Sequence, residues 1–140
     1  MTRTPRRQAR EAALQALYFW EVGRTAPDDA IDAVFPEYLP DATDAVRAFA
    51  EMLVRGAVAT HQELDALIEK QSSHWRLERL AVIDKSILRL AVWELQHQPE
   101  TPAAVVLNEA LELARTFSGD ESVKFVNGVL DGIRRSLNVE

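Results

Sequence analysis

The basic side chains at the start of the chain have the type and spacing to bind a nucleic-acid backbone. The first ten residues contain four arginines and no acidic side chain, and the arginines are Arg3, Arg6, Arg7 and Arg10. At about 100° of rotation per helical residue, they lie within an arc of roughly 100° if the helix extends to the first of them. Tyr18 lies about 20° beyond that arc. A cationic face beside an aromatic ring can bind phosphates and stack on a base.

The position of these arginines favours a binding role over a purely structural one. A helix N-terminus carries partial positive charge, so cations placed there disfavour the helix. The alternative, a solvated basic terminus without a partner, stays open on charge alone. If the first three helical arginines each neutralise a phosphate, replacing Arg6, Arg7 and Arg10 should flatten the salt dependence of nucleic-acid binding and leave the fold intact.

A second polar cluster lies near the start of the last predicted helix. It contains Ser122, Lys124, Phe125 and Asn127. Free N–H groups at a helix N-terminus can bind phosphate, and an aromatic ring can stack on a base. Phe125 fits the apolar core pattern equally well, so both interpretations stay open for that residue.

The sequence offers little for catalysis or for metal binding. It contains no Cys, no Gly-x-Ser-x-Gly motif and no glycine-rich phosphate loop. Glu94 and His97 have the Glu-x-x-His spacing of di-metal helical bundles, but His61 and His74 have no acidic residue three positions earlier. We therefore expect no catalytic residue, no metal and no cofactor, with Glu94 and His97 as surface polar residues.

Apolar residues recur at helical spacing along the whole chain, and no strand pattern interrupts them. We expect helices over about 5–22, 28–35, 43–71, 77–80, 82–97, 102–117 and 118–133, with a bend in the third at Gly56 or at 60–63. The helix over 82–97 is apolar on most of its faces and should be central. The prediction is an all-α fold of about seven helices in two small bundles sharing a core.

Local signals place the helix ends and the boundary between the bundles. Gly23 should end the first helix, Thr101 should cap the sixth, and 118–121 fits a capping box for the last. The polar segment 71–74 predicts a join between an N-terminal bundle, residues 1–73, and a C-terminal bundle, residues 74–140. At 140 residues, the two should form one compact unit.

Composition and charge indicate a soluble globular protein. Apolar residues make up 47% and charged residues 27% of the chain, and the formal net charge is −6. All 22 acidic side chains follow residue 10, so an acidic body carries a basic tip. The apolar run after residue 11 is too short for a signal peptide or a membrane span. We therefore expect a cytoplasmic protein with no membrane partner.

Four segments resemble the NusB family. They are 6–18 (RRQAREAALQALY), 83–95 (IDKSILRLAVWEL), 106–114 (VLNEALELA) and 124–131 (KFVNGVLD), and they occur in the order of the family. The resemblance spans nearly the whole chain, with 24–45 the least matched. It implies two three-helix bundles and a transcription antitermination role rather than an enzymatic one.

The resemblance also implies partners and residue roles. The partners would be boxA RNA of ribosomal RNA leader transcripts, the ribosomal protein NusE, and an RNA polymerase elongation complex with NusA and NusG. RNA-binding residues would be Arg6, Arg7, Arg10, Tyr18, Ser122, Lys124, Phe125 and Asn127. Glu78 and Asp84 would bind the ribosomal protein, unless Asp84 is exposed and pairs locally, with Arg89 or with a neighbouring helix. Gln8 stands where some members carry another arginine, which would weaken the basic grip.

Two other functions compete with RNA binding. The first is a helical adaptor that binds proteins without RNA. The second is the NusB-like domain that precedes ribosomal RNA methyltransferases, which we disfavour because 140 residues leave no room for a catalytic domain. A homodimer is compatible with the sequence, and no feature decides between it and a monomer.

Overall fold

The computed structural model describes residues 3–72 and 77–138. Within these ranges the chain forms seven α helices and one 3-10 helix, with no strand. They are α1 (Pro5–Gly23), α2 (Pro27–Tyr38), α3 (Asp44–Ala59), α4 (His61–Gln71), the 3-10 helix η1 (Leu77–Arg79), α5 (Val82–His97), α6 (Ala103–Phe117) and α7 (Asp120–Ser136). The predicted all-α class is confirmed.

The chain divides into two compact units between Ala59 and Thr60. In the first unit, α1 packs against α2 and α3, which also contact each other. In the second unit, α5, α6 and α7 pack together, and α4 contacts α5 and α7. The predicted boundary at 73/74 lies outside the described residues. The division comes earlier because α4 buries Leu64 and Ile68 within the second unit rather than extending α3.

Local chemistry explains where α1 begins. Thr4 caps the helix, because its hydroxyl oxygen accepts a hydrogen bond from the Arg7 backbone N–H at 3.1 Å. Pro5 follows at the first helical position, where its missing N–H costs nothing. Arg3 therefore precedes the helix and does not share its face.

The C-terminal end of α1 differs from the prediction. Gly23 is the last helical residue, and Arg24 takes the left-handed conformation at φ 54°. The Arg24 backbone N–H donates to the Phe19 carbonyl oxygen, so the cap forms with an arginine in a conformation that favours glycine.

The second helix is longer than predicted and the third is shorter. α2 begins at Pro27 and continues through Pro36 to Tyr38, which brings the Tyr38 side chain to α1. The predicted helix over 43–71 is broken at Thr60, whose φ of −116° interrupts the helical backbone. This break lies where the polar segment 60–63 indicated a bend.

The fifth helix has the bounds that its apolar pattern predicts. Every residue from Asp84 to Leu95 is buried, as expected for the central helix of the second unit. Ile83, which precedes this buried segment, is only partly buried.

The last two helices begin without the predicted side-chain caps. α6 is capped by Pro102 rather than Thr101, and α7 by Gly119, with no side-chain hydrogen bond at either cap. The capping box over 118–121 is therefore wrong: the Ser118 hydroxyl contacts the Ser122 hydroxyl at 2.6 Å instead. None of the described helices combines the length and apolar character needed to cross a membrane.

Candidate functional site

Arg3 belongs to a polar cluster inside the first unit rather than to a free basic face. Its guanidinium donates to the Glu11 carboxylate and, at 3.1 Å, to the Tyr38 hydroxyl. The Tyr38 hydroxyl donates in turn to Glu11 Oε1 at 3.0 Å. Glu11 is buried on α1, so this cluster compensates its charge and fixes the segment before the helix.

The same cluster perturbs two titratable groups. Burial raises the pKa of Tyr38, and its hydrogen bond to Glu11 and the charge of that carboxylate raise it further, while Arg3 opposes the shift. The hydrogen bond to Tyr38 and the charge of Glu11 raise the pKa of Arg3. Arg3 is thus committed to an internal ion pair.

Two of the predicted RNA-binding arginines converge on one aromatic ring. The Arg6 guanidinium carbon lies 3.9 Å from the centroid of the Phe49 ring on α3, and that of Arg10 lies 5.5 Å from it. Both distances fall within cation–π range. Arg6 is exposed, whereas Arg10 is only 5% exposed. Because Arg10 is part of the packed structure, replacing it should disturb the fold, which revises the expectation for the triple arginine variant.

The aromatic residue predicted beside the arginines is accessible. Tyr18 is 40% exposed, and its ring packs edge-on against that of Phe19, with centroids 6.4 Å apart. Phe19 and Val22 are also exposed, so the second half of α1 presents an apolar strip. Phe19 was not among the predicted site residues, although it is a large apolar side chain next to Tyr18 in the sequence.

The four predicted residues on α7 separate onto two sides of the helix. Lys124 and Asn127, three positions apart, are exposed on one side. Ser122 and Phe125, also three positions apart, are partly buried on another. Phe125 is therefore not a core residue, unlike Val126, which follows it.

Ser122 and Phe125 line a cavity of about 280 Å³ in the second unit. The other lining residues are Arg79, Leu80, Ala81, Asp84 and Glu121. Asp84 Oδ2 accepts a hydrogen bond from the Ser122 hydroxyl at 3.1 Å. Asp84 Oδ1 is buried without a hydrogen-bond partner among the described residues. Ser122, predicted to bind RNA, is thus hydrogen-bonded to Asp84, predicted to bind the ribosomal protein.

The two predicted protein-binding acids differ in exposure. Glu78 is exposed on η1, whereas Asp84 is only 9% exposed. The alternative interpretation is wrong in placing Asp84 at the surface, but Asp84 does pair with a neighbouring helix, through Ser122 of α7. Arg89, named there as its pairing partner, instead forms a bidentate ion pair with Asp65 of α4, with N–O distances of 2.7 and 2.9 Å.

The Glu94–His97 pair does not have the surface placement that we predicted for it. Glu94 is only 2% exposed, because α5 is buried on all sides as far as Leu95. His97 is exposed and stacks on the Trp93 ring, with centroids 4.7 Å apart. Across residues 3–72 and 77–138, no three His, Asp or Glu side chains are grouped so that they could hold a metal ion.

Comparison with known proteins gives a consistent match over most of the chain. The profile of the NusB family matches residues 7–135. The transcription antitermination protein NusB of Solibacter usitatus is 46% identical over 132 residues, covering 94% of this chain and 90% of its own. T. maritima NusB superposes with a TM-score of 0.86 at 32% identity, covering 96% of this chain and 93% of its own. A structure of antitermination factors NusB and NusE in complex with dsRNA gives a TM-score of 0.86 at 30% identity. The match covers 94% of this chain and 97% of the chain in that structure.

Proposed function

Because the chain belongs to the NusB family, we propose that it is a transcription antitermination factor that binds boxA RNA of ribosomal RNA leader transcripts together with NusE. The observation that carries this proposal is the similarity over nearly the full chain to a NusB structure solved with NusE and dsRNA. We propose binding rather than catalysis, because the relatives of this chain are named as antitermination proteins rather than as enzymes.

In the first unit, we assign RNA contact to Arg6, Arg7 and Tyr18, and a supporting positive charge to Arg10. Arg6 is exposed and Arg7 is partly exposed, so both can reach phosphates. Arg10 is buried against the same Phe49 ring that Arg6 contacts, and it contributes its charge there. Tyr18 offers an exposed ring for stacking.

In the second unit, we assign RNA contact to Ser122, Lys124, Phe125 and Asn127. Lys124 supplies a cation and Asn127 an amide on the exposed side of α7. The Phe125 ring and the Ser122 hydroxyl line the cavity, where an unstacked base can find an apolar wall and a hydrogen-bonding group.

Glu78 and Asp84 are our candidates for the NusE-binding face. Ribosomal proteins are basic, and Glu78 presents an exposed carboxylate to such a partner. Asp84 Oδ1 is buried and lacks a hydrogen bond among the described residues, which is unfavourable unless a donor reaches it. A hydrogen-bond donor of NusE that reaches Asp84 Oδ1 would satisfy it.

The wider assembly follows from the same role. We propose that the RNA- and NusE-bound protein joins an elongating RNA polymerase with NusA and NusG, in the cytoplasm where the transcript is made. The solution mass of the free protein decides between a monomer and a homodimer.

The proposal is tested by titrating the protein with a synthetic boxA oligonucleotide and with a scrambled oligonucleotide of the same composition. Each titration is run with and without NusE. We expect boxA to bind more tightly than the scrambled RNA, with NusE strengthening the difference. Equal affinity for both RNAs in the presence of NusE would contradict the proposed function. Binding of NusE with no measurable RNA binding would identify a protein adaptor instead.

A further inference from the structure

The first unit places two arginine side chains against a single buried ring. Arg6 and Arg10 lie one turn apart on α1, and Phe49 lies on α3, which packs against α1. Phe49 is 9% exposed, so its ring is fixed by the core around it. The Arg6 guanidinium carbon is 3.9 Å from the ring centroid, at van der Waals contact.

This arrangement counteracts three costs of ordering Arg6. Cations at a helix N-terminus are unfavourable, and like charges four residues apart on a helix repel each other. A free arginine side chain also loses much rotamer freedom when it is held in one geometry. The negative face of an aromatic ring attracts a guanidinium and so opposes these costs.

We propose that Phe49 is a positioning residue for the RNA backbone, acting through Arg6. Phe49 holds the guanidinium of Arg6 over its ring face, so that N–H groups of the guanidinium can donate to phosphate oxygens. Arg10, buried and 5.5 Å from the same ring, adds positive charge beside that position. The ligand is a phosphodiester group of single-stranded RNA. This inference rests on the proposed RNA-binding function.

The chain supplies a matched control for Phe49. Arg47 lies 5.3 Å from the ring centroid of Phe35, another buried phenylalanine of the first unit. Arg47 is also paired with Asp32, and neither Arg47 nor Phe35 belongs to the proposed RNA surface. Phe35→Leu therefore removes a stacked ring from the same unit without touching Arg6.

The experiment compares Phe49→Leu, Phe49→Tyr and Phe35→Leu in boxA RNA titrations over a series of salt concentrations. Phe49→Leu should weaken RNA binding about three- to fivefold, because it removes the ring face but keeps an apolar side chain. Phe49→Tyr should retain wild-type affinity, and Phe35→Leu should bind as the wild type does. Thermal unfolding of each variant establishes that titrations are done on folded protein.

A double-mutant cycle separates positioning from a structural effect. In an Arg6→Ala background, Phe49→Leu should have no further effect on RNA affinity, because the group that it positions is absent. An equal loss in both backgrounds, or no loss in the wild-type background, would overturn the inference. If Phe49→Leu does not fold, Arg6→Lys takes its place: it keeps the charge but loses the planar stack, and wild-type affinity in that variant would overturn the inference as well.

Comparing Arg6→Ala with Phe49→Leu separates a failure of the positioning role of Phe49 from a failure of the proposed RNA binding by α1. If Arg6→Ala alone leaves boxA affinity and its salt dependence unchanged, the arm does not bind RNA, and the functional assignment of α1 fails. If Arg6→Ala weakens binding but Phe49→Leu does not, the arm binds RNA and only the positioning role is wrong.

Discussion

The arginines of the basic terminus differ in what their side chains contact, although they are the same residue type. Arg3 neutralises the buried Glu11, Arg10 is packed against Phe49, and Arg6 remains exposed. Net charge at the terminus therefore overstates the number of cations available to RNA. The distinction leads to two predictions, one for the Arg3 cluster and one for the helical arginines.

The first prediction concerns the pH dependence of Tyr38. Because burial and Glu11 raise its pKa in the folded state, the Tyr18→Phe variant, which keeps Tyr38 as its sole tyrosine, should titrate above the ordinary value of about 10. A raised folded pKa contributes stability that is fully present below the unfolded value and is lost as the pH rises through the folded value. Tyrosinate absorbance measures the Tyr38 titration of the folded protein in buffer and of the unfolded protein in urea.

A second variant isolates the contribution of the carboxylate. Adding Glu11→Gln to Tyr18→Phe removes the negative charge beside the phenol, so the midpoint of Tyr38 should fall relative to that of the single variant. A midpoint at or below the ordinary value in the folded Tyr18→Phe protein would contradict the cluster geometry.

The second prediction separates the binding arginines from the structural one. Replacing Arg6 and Arg7 with Ala should reduce the magnitude of the salt slope for single-stranded RNA by about 1.4, since each phosphate contact contributes about 0.7. Urea denaturation should show little change in stability. Arg10→Ala should instead lower the free energy of unfolding by about 1 kcal/mol or more, because it removes a packed, buried side chain.

A charge-matched control uses arginines elsewhere in the chain. Arg115 and Arg135 are exposed and pair with acidic residues on their own helices. The Arg115→Ala/Arg135→Ala protein has the same net charge as the Arg6/Arg7 variant, and its salt slope should match that of the wild type. Equal slopes for all three proteins would mean that the terminus binds no phosphate.

At the scale of the helices, the end of α1 shows how a local signal can be displaced by one residue. Gly23 offers the residue type that a left-handed C-cap favours, yet Arg24 occupies that conformation. The chain must leave α1 at a place that allows α2 to begin at Pro27 and pack back on α1. The tertiary arrangement therefore overrides the preference of the glycine.

The third prediction follows from this displacement. Arg24→Gly should stabilise the protein by about 0.5–1 kcal/mol, because glycine takes positive φ without the steric cost that an L side chain meets. Arg24→Ala is the matched control: it removes the same charge but keeps a Cβ, so it should not stabilise. Thermal or urea unfolding of the two variants measures the difference. A gain of equal size in both would assign the effect to charge.

At the scale of the whole molecule, charge is divided between a basic start and an acidic remainder. All 22 acidic side chains follow residue 10, so most of the protein repels RNA at long range. A basic ribosomal protein bound to acidic surface would reduce that repulsion and add phosphate contacts of its own. The RNA and the protein partner should therefore help each other bind.

The fourth prediction gives this coupling a magnitude. Saturating NusE should tighten boxA binding by about 1–3 kcal/mol, and saturating boxA should tighten NusE binding by the same amount, since linkage is reciprocal. The four affinities of the binding cycle measure it. An RNA affinity that is unchanged by NusE would contradict the proposed role of the acidic surface.

Asp84 provides the control for the protein side of that cycle. Asp84→Asn keeps the size of this buried side chain and removes its charge, whereas Asp84→Lys would force a second cation beside the buried Lys85. We expect Asp84→Asn to weaken NusE binding about tenfold or more, as expected when a buried charge pair loses one partner, and to leave RNA binding by the isolated protein unchanged. Unchanged NusE affinity in the folded variant would exclude Asp84 from the interface.

The helical class, the bounds of α5 and the start of α1 follow from the order of residues in the chain. Each of these depends on an apolar pattern of helical period among residues that are neighbours in the chain. The resemblance to the NusB family likewise needs only short segments in order. Such features are readable because the physics that produces them acts over a few consecutive residues.

The tertiary structure alone decided which side chains meet. Phe49 is distant in sequence from Arg6, Tyr38 from Glu11, and Ser122 from Asp84, yet each pair is in contact. These contacts depend on the packing of α1 with α2 and α3, and of α5 with α7. A periodic pattern specifies that a face is buried but not which face covers it, because many apolar faces satisfy the hydrophobic effect equally. The role of each arginine therefore depends on which helices pack together.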